Sequence, residues 1–147
     1  MKKVLYGEEL RNIMINSVNM ICDAVGSTLG PTGNNVLINS SDEQPFITND
    51  GITIARNIES DNICENTILE IVKEASLKTD ELVGDGTTTT LVLLKSLFNN
   101  GIEQIKKGKN PIVLKKELLD CLNDIIDIIT RLKRIPNKND LLSIATI

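Results

Sequence analysis

Gly84-Asp85-Gly86-Thr87-Thr88-Thr89-Thr90 separates two segments that have helical periodicity. Asp85 could simply cap the helix that follows, but capping does not explain four consecutive threonines, because β-branched residues are unfavourable in a helix. A phosphate site does explain them, since a helix N-terminus offers free N–H groups and a positive potential, and threonine hydroxyls add donors. Asp85 would then hold Mg²⁺, which usually binds one or two carboxylates together with phosphates. The Lys-[Ser/Thr] ending of a Walker A loop is absent, so the stretch is not a P-loop.

Helical periodicity also dominates the rest of the chain. It predicts amphipathic helices over residues 8–29, about 64–82, 87 to near 108, and from Asn110-Pro111 to about 133, with a further short helix over 140–147. Two short β-prone runs, Val36–Ile38 and Phe46–Thr48, predict a hairpin. The predicted fold class is therefore mainly α with one β-hairpin.

Each predicted helix carries an apolar stripe, which we expect to be its buried face. In the first helix the stripe is Leu10, Met14, Val18, Ile21, Val25 and Leu29, and in the second it is Cys64, Ile68, Ile71, Val72, Ala75 and Leu82. In the third it is Leu91, Leu94, Leu97, Phe98, Ile102 and Ile105, and in the fourth Leu114, Leu118, Cys121, Leu122, Ile125, Ile129 and Leu132. Because Cys22 and Cys121 fall on such faces, we expect both to be buried free thiols.

The composition of the 147 residues excludes several chemistries. There is no histidine, so a Ser-His-Asp triad, a Cys-His pair and a His-ligated zinc are all ruled out. Only Tyr6, Phe46 and Phe98 are aromatic, and the formal charge is −4, which together disfavour binding to nucleic acid. No stretch approaches the ~20 apolar residues that span a membrane, and three cysteines without a Cys-x-x-Cys pair fit a reducing compartment. We therefore predict a cytoplasmic protein with no nucleic-acid or membrane partner.

Two other breaks between predicted elements carry candidate functional residues. Residues 28–33 read Thr-Leu-Gly-Pro-Thr-Gly, which is typical of a helix C-cap and turn. Alternatively, Gly30 and Gly33 let the backbone approach a ligand, to which Thr28 offers a carbonyl and a hydroxyl. Residues 48–51 read Thr-Asn-Asp-Gly, which is typical of a simple turn. Alternatively, a rigid turn holds the Asp50 carboxylate in place so that it can bind a metal ion or a water molecule.

Taken together, these blocks resemble the N-terminal equatorial segment of a chaperonin. The matching blocks are Thr28-Leu29-Gly30-Pro31-x-Gly33-x-Asn35-Val36, Ile47-Thr48-x-Asp50-Gly51, Val72-Lys73-Glu74 and Gly84-Asp85-Gly86-Thr87-Thr88-Thr89. Each block alone is a weak signal, but their order and spacing fit the family over nearly the whole chain. Glu65-Asn66 and the strand at 35–37 favour the bacterial group I branch.

The resemblance implies an ATP site with Mg²⁺ and K⁺. By position, Thr28, Leu29, Gly30 and Pro31 match the family's loop around adenine, ribose and phosphates, and Gly86, Thr87, Thr88 and Thr89 match its phosphate cradle. Asp85 matches the Mg²⁺ ligand, and Asp50 matches a carboxylate near the γ-phosphate that assists hydrolysis. Asn49 and Thr32 stand where many relatives have lysine. If position 49 works through its backbone carbonyl on K⁺, the change there is harmless, whereas a role of the lysine side-chain charge would be lost.

The resemblance further implies that residues 1–147 are the N-terminal part of an equatorial ATP-binding domain in a double-ring folding machine. We expect other subunits of the ring as partners, with the hairpin pairing to the terminal strands of a neighbouring subunit. Unfolded clients and a co-chaperonin would bind through the intermediate and apical parts, which this sequence lacks. We expect this piece alone, with about half of the nucleotide site, to hydrolyse ATP negligibly.

Two other interpretations stay open. One is a short chaperonin-derived interaction module that associates with rings without ATPase activity. The other is a helical domain with no nucleotide function, against which residues 85–89 argue.

Overall fold

The computed structural model of the protein describes residues 4–39 and 44–146. Its elements are α1 (Gly7–Gly26), β1 (Val36–Ile38), β2 (Phe46–Thr48), α2 (Gly51–Asn57), α3 (Ile63–Val83), α4 (Thr87–Lys106), α5 (Pro111–Leu132) and α6 (Lys138–Ala145). The described chain is mainly helical with one two-stranded antiparallel sheet, which confirms the predicted fold class. Residues 40–43, between the predicted strands, and Ile147, at the end of the last predicted helix, lie outside the described residues.

Asparagine caps mark the starts of three helices in the described chain. The Asn62 side chain accepts a hydrogen bond from the Cys64 amide at 2.9 Å and so begins α3. Asn110 accepts from the Ile112 amide at 2.8 Å, and the proline after it occupies the first turn of α5, as the sequence predicted. Asn137 begins α6 in a capping box with Asp140. Each such cap stabilises its helix by about 1 kcal/mol.

The core of residues 1–102 lies where α1, α2 and α3 pack against one another. Its buried apolar residues are Val18, Ile21, Cys22, Val25, Ile54, Ala55, Leu69, Val72 and Leu91. The predicted stripe of α1 is confirmed at Val18, Ile21 and Val25, and the predicted burial of Cys22 is confirmed as well. Leu29 is exposed, because α1 ends at Gly26 and Leu29 lies in the loop that follows.

The buried face of α3 coincides with the predicted one only at Val72. The buried residues are Leu69, Val72, Lys73 and Ser76. Two residues of the predicted stripe, Ile71 and Leu82, are 62% and 84% exposed. The face is thus rotated by about one residue, or about 100°, because α1 and α2 both pack on that side of α3.

Residues 103–147 form a second compact unit. Its longest helix is α5, none of whose residues is buried. The predicted buried face is exposed, with Leu118 at 44%, Ile125 at 49% and Ile129 at 57%, and Cys121 is exposed too. The predictions of a buried face and a buried Cys121 thiol are therefore wrong here. Periodicity shows which residues share a face but not which neighbour covers it.

In the part of the chain that the structure describes, no helix is both long enough and apolar enough to cross a membrane.

Candidate functional site

Three chain segments within residues 1–102 meet around one cleft of about 280 Å³. Its lining residues are Thr28, Leu29, Gly30, Asn49, Asp50, Gly51, Asp85, Gly86, Thr87, Thr88 and Thr89. The tertiary structure therefore brings together nearly all of the predicted site residues, although they come from three separate breaks in the sequence. Pro31 and Gly33 are the exceptions: both are exposed and neither lines the cleft.

The first segment is the loop that follows α1. Thr28 donates its hydroxyl hydrogen to the Val25 carbonyl at 2.8 Å, so the Thr28 oxygen can only accept a hydrogen bond or approach a cation. The loop is closed where the Asn34 amide donates to the Ser27 carbonyl at 2.8 Å and the Gly33 amide donates to the Gly30 carbonyl at 3.0 Å. This segment offers oxygen atoms to the cleft rather than hydroxyl donors.

The second segment places Asp50 at the start of α2, where it acts as the N-cap. Its Oδ2 accepts from the Thr53 amide at 3.1 Å and also from the Thr53 hydroxyl. Its own amide donates to the Thr48 hydroxyl at 3.1 Å, which ties the end of β2 to the start of α2. Asp50 is therefore a helix cap as well as a cleft residue, and not part of an isolated turn.

Sequence reasoning missed α2 itself. The helix is only seven residues long and begins with Gly51, a poor helix former. A signal was nevertheless present, because an Asp followed by Ile52, Ile54 and Ala55 is an N-cap before an apolar face. Of these, Ile54 and Ala55 are fully buried.

The third segment is the start of α4. Asp85 does not cap this helix, because α4 begins at Thr87 and the Asp85 Oδ1 accepts instead from the adjacent Gly86 amide at 2.6 Å. Gly86 has φ +83°, a left-handed conformation that only glycine adopts readily. The capping explanation offered for Asp85 is thus not what the structure shows.

The four threonines of this segment divide into two groups. Thr87, Thr88 and Thr89 line the cleft, and their amides donate no hydrogen bond within residues 4–39 and 44–146. Thr90 points elsewhere: its hydroxyl donates to the Gly86 carbonyl at 2.9 Å and is hydrogen-bonded to Thr79 at 3.1 Å. The first three threonines are therefore open to a ligand, while the fourth joins α3 to α4.

The donor set of the cleft fits a phosphate with a cation. Free amides at a helix N-terminus and threonine hydroxyls favour an anion, and Asp50 and Asp85 supply two carboxylates at the same cleft. The described residues contain no group of three or more acidic or cysteine side chains that could hold a metal ion by themselves. A carboxylate-poor site of this kind suits Mg²⁺, which usually takes one or two protein carboxylates and completes its shell with phosphates and water.

The cleft offers little to an aromatic base. Leu29 is the one apolar side chain among its lining residues, it is 48% exposed, and no aromatic ring lies beside it in the described chain. The residues that line the cleft are otherwise glycine, threonine, asparagine and aspartate. The arrangement is thus suited to the charged end of a ligand.

Residues 21–147 match the family model described as the TCP-1/cpn60 chaperonin family. The match covers all three cleft segments and every described element except residues 7–20, which are about the first four turns of α1, and the chain before them.

Proposed function

Because the chain belongs to the TCP-1/cpn60 chaperonin family, with a chaperonin-type role in protein folding, we propose that its cleft binds the phosphates of Mg²⁺-ATP. We further propose that the chain acts as part of a group I, double-ring chaperonin in the cytoplasm. The observation that carries the proposal is the start of α4, whose free amides and threonine hydroxyls face the same cleft as two carboxylates.

Each lining segment has a proposed role. The amides and hydroxyls of Thr87, Thr88 and Thr89 would hold phosphate oxygens. Gly86, whose amide already donates to Asp85, would contribute by leaving room for the phosphates. Asp85 would hold Mg²⁺, which when bound supplies positive charge to the phosphates.

Asp50 lies at the same cleft as an exposed carboxylate, where it could orient a water molecule or accept its proton. The engaged hydroxyl of Thr28 leaves that residue with oxygen acceptors only, which suits K⁺ rather than phosphate. The Asn49 carbonyl is a second candidate for K⁺. Leu29 and Gly30 would lie beside the nucleoside end of the ligand.

We propose that this chain by itself supplies only part of the nucleotide site. The cleft has a phosphate-binding side but only Leu29 as an apolar contact for a base. It should therefore bind Mg²⁺-ATP weakly and hydrolyse it negligibly, with the remainder of the site coming from further chain or from a neighbouring subunit. Substantial Mg²⁺-dependent turnover by the purified 147-residue protein, abolished in Asp85→Ala, would contradict this part of the proposal.

The test of the ATP site compares Asp85→Asn with Asp61→Asn. Asp61 is an exposed aspartate outside the cleft with no hydrogen bond or ion pair in the described chain, so it is a matched control for the loss of one charge. We expect Asp85→Asn to weaken Mg²⁺-ATP binding about tenfold or more, which is about 1.4 kcal/mol. Asp61→Asn should bind as the wild type does.

The measurement is isothermal titration calorimetry with Mg²⁺-ATP, repeated with ATP in excess EDTA. Without the metal ion, Asp85→Asn should bind ATP at least as tightly as Asp61→Asn, because the carboxylate of Asp85 then has no cation to hold and only repels the phosphates. Equal affinity of Asp85→Asn and the wild type in the presence of Mg²⁺ would refute the Mg²⁺ assignment. Absence of any nucleotide binding in an assembly that contains this chain would refute the ATP site as a whole.

A further inference from the structure

The Asp50 carboxylate is held by one of its two oxygens only. Both the amide and the hydroxyl of Thr53 donate to Oδ2, the amide at 3.1 Å. Oδ1 receives no hydrogen bond within the described residues, and Asp50 lines the cleft. One oxygen is thus occupied by α2, and the other is available to a ligand or to water.

The two bonds from Thr53 do different things. The bond from the Thr53 amide is an ordinary N-cap bond, which any residue at that position can make. The hydroxyl bond is additional, because a capping box normally has Glu or Gln there and sends that side chain to the cap amide. In this helix the cap amide of Asp50 is already bonded to Thr48, and the Thr53 hydroxyl goes to the carboxylate.

A carboxylate that rotates freely about its Cβ–Cγ bond exchanges its two oxygens, since that torsion is broad and roughly two-fold. Two donors on the same oxygen oppose this rotation. We propose that the Thr53 hydroxyl is a positioning group for Asp50, which holds Oδ2 against α2 and so presents Oδ1 to the cleft. This inference rests on the proposed role of Asp50 at an ATP site.

The test uses Thr53→Val, which keeps the shape and the amide bond but removes the hydroxyl, and Thr53→Ser, which keeps the hydroxyl. Thr67→Val is the matched control, because the Thr67 hydroxyl donates to the Ile63 carbonyl at 3.0 Å on an exposed face of α3, outside the cleft. ATP turnover is measured in an assembly that contains this chain, with kcat and KM determined separately.

We expect Thr53→Val to lower kcat about tenfold and to leave KM within about twofold, because binding of the nucleotide depends on the start of α4 and not on the orientation of Asp50. Thr53→Ser and Thr67→Val should both stay within about twofold of the wild type. A kcat of wild-type size in Thr53→Val overturns the inference. So does a loss in Thr53→Ser as large as in Thr53→Val, because the methyl group rather than the hydroxyl would then matter.

A second readout separates failure of the inference from failure of the proposed function. If the wild-type assembly and Asp50→Asn have the same turnover, or neither has any, Asp50 does not act in ATP hydrolysis and the proposed function fails at this residue. The ¹³Cγ resonance of Asp50 in the 147-residue protein then decides whether Thr53 positions the carboxylate at all. It should move in Thr53→Val and not in Thr67→Val, and an unmoved signal in both would overturn the inference.

Discussion

Gly51 lies so close to Thr88 that a Cβ atom on Gly51 would be 2.2 Å from the Thr88 Oγ1. The same atom would be 3.2 Å from a methyl group of Val25. Gly51 is buried and begins α2, so at this one residue the starts of α2 and α4 and the end of α1 are in contact. Because Asp50 directly precedes Gly51, this contact also determines how near the Asp50 carboxylate lies to the start of α4.

Gly51→Ala should destabilise the protein by about 1–3 kcal/mol, since inserting a methyl group into a packed contact forces its neighbours to move. The measurement is urea unfolding followed by circular dichroism. The double variant Gly51→Ala with Thr88→Ala should recover part of the loss, because it removes the atom nearest to the new methyl group.

Gly26→Ala is the matched control for this substitution. A Cβ on Gly26 would be 3.3 Å from a methyl group of Val92, and the backbone there is helical. We expect a change within about 0.5 kcal/mol for this variant. If Gly51→Ala is as stable as Gly26→Ala, the close packing of Gly51 against Thr88 does not restrict the size of the residue at position 51.

Gly33→Ala should open the loop after α1. A Cβ at Gly33 would be 2.1 Å from the Thr28 carbonyl oxygen, and a backbone atom cannot rotate away as the Thr88 hydroxyl can. The loop must therefore widen, at the expense of the hydrogen bond from the Asn34 amide to the Ser27 carbonyl. Hydrogen exchange of the Asn34 amide should become about tenfold faster or more, while Thr32→Ala, an exposed change in the same loop, should leave it as it is. Unchanged exchange in Gly33→Ala would show that the loop tolerates the methyl group.

Lys73 should be replaceable by methionine but not by alanine. Its side chain is buried in the face of α3, and its ammonium donates to the Glu70 carboxylate at 2.8 Å and to the Arg56 carbonyl at 3.5 Å. Because the Glu70 side chain is 69% exposed and can turn to water, loss of the ion pair itself should cost little. The buried stem matters more, so we expect about 2 kcal/mol of destabilisation in Lys73→Ala and less than about 1 kcal/mol in Lys73→Met. Equal losses in chemical unfolding would mean that the ammonium, and not the stem, stabilises this contact.

Stability should fall in alkaline solution because of Cys22. Burial raises the pKa of the Cys22 thiol from its ordinary value of 9.0 to about 11. Between these two values the unfolded chain loses the thiol proton and the folded chain keeps it, so the contribution of Cys22 to stability is complete below pH 9 and is lost as the pH rises through 11. The loss should reach about 2–3 kcal/mol.

The measurement for Cys22 is the free energy of unfolding of the wild type and of Cys22→Ala across this pH range. Lysines and the tyrosine also titrate there, so the difference between the two proteins is the relevant quantity. That difference should shrink or reverse as the pH rises. A difference that stays constant with pH would show that the thiol ionises as easily in the folded protein as in the unfolded one.

The candidate site could be predicted from the sequence one segment at a time. The glycine and threonine run at 84–90 indicated a ligand-binding helix start without any structure, and Asp50 stood out as a carboxylate in a short polar break. The sequence could not predict that the first three threonines of this run line the cleft while Thr90 contacts α3. Thr90 differs from Thr89 only by its direction on the helix, and the bond from Thr90 to Thr79 depends on how α3 and α4 meet.

The sequence by itself determined the elements that rest on local forces. The α5 helix begins at Pro111 because Asn110 caps it and the proline presets the backbone of its first turn. The predicted hairpin forms from the two β-prone runs, which pair as antiparallel strands. Tertiary structure decided which helix faces are buried and which of the segments between helices and strands lie side by side. The stripe of α5 is exposed, Lys73 is buried in place of Ile71, and three breaks converge on one cleft. The physical reason is that caps and periodicity act within one or two turns of the chain, whereas burial and convergence depend on residues far apart in sequence that pack together.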